Sequence, residues 1–196
     1  MKNLFFSIPL AAVLLFIVNA PAMAGSEDLD KKTSTINYFL NTLDTEKMLK
    51  EVFMKEAGSD PLLKDLFAGS LRGFSTQGLA RHLAFGLGDL VSPEEMAPCS
   101  SFIDSPAGSA LAKAQAAQPV RDANSFVASY RALPKQEKAA ASTFFMSSCG
   151  RKISDYMNSD KARKIGLSYG EELVCMHVQK TNKDMLLHFR ANGKCL

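Results

Sequence analysis

The chain has 196 residues, 46% of them hydrophobic, with four cysteines, no tryptophan and a formal net charge of +3. That length accommodates one domain with its own core, and a charge so near neutral excludes a generally polybasic nucleic-acid binder. It contains no glycine-rich phosphate loop and no metal-ligand spacing, so neither a cofactor nor a metal is expected.

Residues 1–24 read as an export signal. Lys2 supplies the positive start, Leu4 to Val18 the apolar stretch, and Ala22-Met23-Ala24 the small-x-small pattern that signal peptidase accepts. Cleavage near Ala24 leaves 172 residues carrying +2, beginning at Gly25. The strongest apolar run, Leu10–Val18, is far short of the roughly 20 residues that span a bilayer. The expected product has no transmembrane segment and is periplasmic or secreted from a bacterium. In such an oxidising compartment the even set Cys99, Cys149, Cys175 and Cys195 points to two disulfides. Three pairings are open, and spacing does not choose among them.

Residues 25–34 are polar and are expected to be a flexible N-terminus ahead of one helical domain, 35–196. Apolar residues then recur at three- and four-residue intervals, the helical period. Leu29, Thr33, Ile36, Leu40 and Leu43 form one stripe, and Met48, Leu49, Val52 and Phe53 another, after the cap-type residues Asp44 and Thr45. Leu62, Leu63, Leu66 and Phe67 form a short third. Residues 69–91 hold five glycines and are expected to be the least regular part of the core, with Leu79, Leu83, Phe85, Leu87 and Leu90 on the apolar face. Gly69 and Gly73 suit a loop or a close helix contact.

Ser92-Pro93-Glu94-Glu95 is the clearest helix start. Ser92 caps, Pro93 suits the first turn, Glu95 completes a capping box, and both acids favour the positive end of the helix. Ser105-Pro106 repeats the same chemistry for a second helix, making a hairpin. Residues 91–111 align without a gap on 133–153, with six of 21 positions identical, among them Phe102 with Phe144, Ser105 with Ser147 and Gly108 with Gly150. The two phenylalanines are expected on buried faces, and the two glycines where helices approach closely. A helix carrying Val120, Ala123, Val127 and Tyr130 joins the two hairpins. Residues 171–191 fit a helical pair first and a small β-hairpin second. The fold class is mainly α, a compact bundle of antiparallel helical hairpins.

Ser92-Pro93-Glu94-Glu95-Met96, Phe102, and Ser105-Pro106-Ala107-Gly108 with Leu111 resemble the motif of the bacterial family called domain of unknown function 2059, found in small exported proteins. Thr42 to Leu49 is similar to the helix that commonly begins such domains. The resemblance covers residues 35–118. It departs at Ile103, where the family usually has tyrosine, and at Ala110, where lysine is common. It implies a helical periplasmic domain and carries no catalytic residue.

Chemistry-bearing residues are sparse. His82, His177 and His188 form no ligand pair, and the adjacent acids Glu94/Glu95 and Glu171/Glu172 diverge on a helix and read as helix-start charges. A cysteine-dependent hydrolase or redox enzyme is the alternative reading, with Cys175 and His177 or His188 the first place to look. Charge is polarised along the chain, at −5 over 25–104, +3 over 105–149 and +4 over 150–196. Arg151, Lys152, Lys161, Arg163 and Lys164 form a candidate basic face. Scattered lysines without interleaved aromatics argue against nucleic acid. The expected role is therefore non-enzymatic binding of a protein or cell-envelope component, an immunity or inhibitor protein against a periplasmic toxin being a further alternative.

Overall fold

The computed structural model describes residues 26–195, so the export signal and its cleavage site lie outside the described residues. Those residues form eleven α-helices and no strand. The first is α1 (Ser26–Thr42), which corrects the flexible start expected for 25–34. Lys32 explains the difference. It is 3% exposed, pairs with Asp28 at 2.7 Å and donates to the Gly88 carbonyl at 2.8 Å, so this polar stretch is docked rather than frayed.

A left-handed residue, Asp44, turns the chain into α2 (Thr45–Ala57). Asp44 does not cap α2 with its side chain; its carboxylate pairs instead with Arg121. Asp60 caps α3 (Pro61–Leu71), accepting from the Leu62 and Leu63 amides at 2.8 and 3.2 Å. Next comes α4 (Thr76–Leu87), capped by Ser75. The glycine-rich stretch is thus more regular than its composition suggests. Leu79, Leu83 and Leu87 are buried, and α4 packs along most of α1. Phe85 and Leu90, expected on the same face, are instead exposed.

The hairpin motif forms as its residues dictate. Ser92 and Glu95 make a complete capping box at the start of α5 (Pro93–Ile103). Ser105 caps α6 (Pro106–Ala116), accepting from the Gly108 amide at 3.1 Å while donating to the Phe102 carbonyl at 2.6 Å. After α7 (Ala123–Ala132) and α8 (Lys135–Met146), Ser147 makes the same two bonds, to the Gly150 amide at 3.0 Å and the Phe144 carbonyl at 2.6 Å, and starts α9 (Ser148–Met157). A Cβ on Gly108 or Gly150 would press on the carbonyl oxygen of Phe102 or Phe144, which is why the tight corner needs glycine at both places. Helix α5 packs on α9 and α6 on α8. The Phe102 and Phe144 rings stack between them with centroids 4.2 Å apart. Cys99 and Cys149 join α5 to α9 in a disulfide with its Cα atoms 6.1 Å apart.

Helix α7 attaches through Phe126 and Tyr130 against Phe145, and through Ser129, which donates to the buried Gln115 side chain at 2.8 Å. Val120 precedes α7, and Val120 and Val127 are both exposed. Ser159 repeats the serine corner a third time, bonding the Tyr156 carbonyl and the Ala162 amide, and opens α10 (Asp160–Thr181). At 22 residues α10 is about 33 Å long. It runs across α3 and α4, then gives way to α11 (Lys183–Ala191), so the C-terminal region is the helical pair and not the β-hairpin. None of the described helices is long and apolar enough to cross a membrane.

Candidate binding groove

Helix α2 rests on α3 and the end of α1, whereas α10 lies against α3 and α4. The wedge left between α2 and α10 is a cavity of about 730 Å³, within the range of about 300–1,000 Å³ usual for ligand pockets. Its first wall is the apolar face of α2, with Met48, Leu49, Val52 and Phe53, and Phe67 of α3 stacked on Phe53 at 5.2 Å. Leu40, Leu79 and Leu83 close its depth. Met48 is 50% and Val52 48% exposed, so this wall faces open space instead of another helix.

The floor comes from α10. Ala162, Gly166 and Gly170 recur every four residues and therefore share one face, followed by Leu173 and Val174. A Cβ added at Gly166 or Gly170 would meet nothing within 4 Å. Tyr169 fixes α10 against the α3–α4 corner, its hydroxyl accepting from the Ser75 amide at 3.3 Å and its ring packing on Phe74. The far wall is Phe189 of α11 together with the Cys175–Cys195 disulfide, which holds the segment after α11 against α10. The charged lining residues are Arg163, Glu171 and Lys194. Arg163 pairs with Asp160 at 2.9 Å, and Lys194 with Glu171 at 2.7 Å.

Of the cysteines, hairpin-motif residues and basic-face residues picked out by sequence, Cys175, Cys195 and Arg163 line the groove and the others fall elsewhere. Ser92, Pro93, Phe102, Ser105, Pro106, Gly108, Phe144 and Gly150 build the hairpins and their packing. Glu95 reaches across from α5 to α9, accepting from Lys152 and from the Ser148 hydroxyl, each at 2.7 Å. The Lys152 ammonium, then the Ser148 hydroxyl and the Ser92 amide, hold its carboxyl down at about 2. Of the basic face, Lys152 is thereby neutralised, while Arg151, Lys161 and Lys164 are exposed. Lys152 and Lys161 border a second, smaller recess of about 330 Å³.

Glu171 and Glu172 are not helix-start charges. They sit in the middle of α10, Glu171 on Lys194 and Glu172 3.3 Å from the His82 ring. His177 packs over Gly69, where α3 and α10 come close enough that a Cβ would strike the imidazole. Both cysteine pairs are closed, leaving no free thiol among the described residues.

No protein-family model, curated protein or solved structure matches this chain.

Nothing in the apolar stripe Met48, Leu49, Val52 and Phe53 distinguishes a groove wall from a core face, and Gly166 and Gly170 stand outside the motifs of the sequence. The available signal was the four-residue spacing of Ala162, Gly166 and Gly170 within a helix: two glycines at one face cost stability unless the space above them is used.

Proposed function

We propose that this chain is an exported, non-enzymatic helical protein of the bacterial periplasm or exterior that binds a cell-envelope component or protein through the groove between α2 and α10. The observation that carries the reading is the glycine floor beneath an unfilled apolar wedge. The chain leaves about 730 Å³ open beside Met48 and Val52, over a stretch of α10 where side chains in place of Gly166 and Gly170 would project into the space. The lining suits binding more than chemistry, because its walls are carbon and its three charged groups are each engaged in an ion pair. Two closed disulfides suit an oxidising compartment, in keeping with the signal read from Lys2, Leu4 to Val18 and Ala22 to Ala24. The resemblance of residues 35–118 to the domain of unknown function 2059 family is part of the same proposal and rests on the hairpin residues alone.

A photoactivatable residue at Val52, introduced in the producing cell, tests it. Irradiation is expected to join Val52 to an envelope molecule, and the adduct is expected to vanish when Gly166→Leu fills the floor. The control position is Met146, exposed and outside the groove. Equal labelling from both positions, or none from Val52, overturns the proposal.

A further inference from the structure

We infer that the groove holds the acyl chain of a single-chain amphiphile with an anionic head, and that Arg163 at its rim receives the head. The inference rests on the binding reading above and names its occupant.

Length comes first. Lining residues follow α10 from Ala162 to Cys175, thirteen steps or about 20 Å at roughly 1.5 Å per residue. One leaflet of a bilayer is about 15 Å deep, half of a hydrocarbon core of about 30 Å, so one acyl chain fits the groove end to end. The carbon walls and the glycine floor admit a methylene chain without leaving a polar group unpaired.

The two ends differ in charge. At the Cys175 end, Lys194 is matched by Glu171, and both belong to the lining. At the Ala162 end the lining charge is Arg163, whose partner Asp160 stands outside the lining. Arg163 and Asp160 are 71% and 82% exposed, so their pairing is weak and an incoming anion can take Asp160's place. Lys161 and Lys164 are exposed on other faces of α10, outside the lining, Lys161 at the smaller recess. They add positive potential around Arg163 without reaching into the groove, and the start of α10 adds a dipole of the same sign. The chain therefore points toward Cys175 with the head at Arg163.

Calorimetry on the mature, fully oxidised protein tests this with three 16-carbon probes below their micellar concentrations: the free carboxylate, lysophosphatidylglycerol and lysophosphatidylcholine. The two anions are expected to bind one to one, about two- to fivefold more tightly than the zwitterion, the fold-change of one favourable rim ion pair. The triple variant K161Q/R163Q/K164Q is expected to remove that gap while leaving lysophosphatidylcholine unchanged, and Gly166→Leu to weaken all three. Unchanged far-ultraviolet circular dichroism establishes that the variants are folded. Equal affinity for the three heads, or a gap that survives the triple variant, overturns the inference. Binding of none of the probes, while Val52 still photo-crosslinks to a protein, overturns the inference and leaves the binding reading standing; loss of both signals overturns both.

Discussion

Four helical glycines of this protein should respond to alanine with opposite signs, and the contrast probes whether the groove is open. Gly166 and Gly170 lie inside α10 with nothing within 4 Å of an added Cβ. Replacing either by alanine removes unfolded-state freedom and adds no clash, a gain of about 0.5–1 kcal/mol each. The side chains would point into the groove without burying much area, so the helix term decides the result. The double variant should therefore be about 1–2 kcal/mol more stable, which at this size is a rise of roughly 2–8 °C in Tm. At Gly108 and Gly150 the added carbon meets a backbone carbonyl that cannot step aside, and overpacking of this kind costs about 1–3 kcal/mol. Thermal and urea unfolding of the four single variants, followed at 222 nm, provides the comparison. A loss of stability in Gly166→Ala or Gly170→Ala would refute the reasoning, since it would mean that α2 or α11 closes onto the glycine floor in solution.

The two disulfides should differ in worth because they close loops of different length. With separations of 50 and 20 residues, loop-closure entropy assigns about 4 kcal/mol to Cys99–Cys149 and about 3 kcal/mol to Cys175–Cys195; urea midpoints of the paired Cys→Ala variants should keep that order, and the reverse order would contradict it. Phe144→Ala removes a ring that is 4% exposed and stacked on Phe102, so it should cost about 3–5 kcal/mol, read as a lowered urea midpoint at constant slope. Glu95 is held at about 2 in the fold against an ordinary 4.5. A depressed carboxyl stabilises the fold fully above pH 4.5, and the contribution is lost as pH falls through about 2. Glu95→Gln should therefore lower the urea midpoint at pH 7 and converge on the parent near pH 2, and a difference constant from pH 7 to pH 2 would rule out the Lys152 and Ser148 bonds as its cause.

Local chemistry made much of the fold legible. Ser92, Ser105 and Ser147 start helices because a serine hydroxyl satisfies an amide that the helix leaves unpaired, and that need is written within four residues. Phe102 and Phe144 are buried as their spacing requires. The start of α1 is not legible locally because Lys32 and Asp28 look like solvated charges until Gly88, 56 residues away, supplies a carbonyl. The exposure of Phe85 is not legible either, because hydrophobicity alone does not say which face of α4 meets α1. The groove was illegible for a related reason. Met48 and Val52 have the same period as any core stripe, and only the position of α10, more than a hundred residues later, leaves them uncovered.

The Cys99–Cys149 bond closes a covalent ring around α6, α7 and α8, with the Phe102–Phe144 stack inside its span. A protease that cuts the exposed connection between α6 and α7 would thus leave two pieces still tethered through sulfur, separable only after reduction. Both α2 and α11, the two walls of the groove, lie outside that ring. The molecule therefore divides its cross-links spatially: one ties the paired hairpins to each other, the other ties the α11 side of the groove to α10, and the α2 wall carries neither.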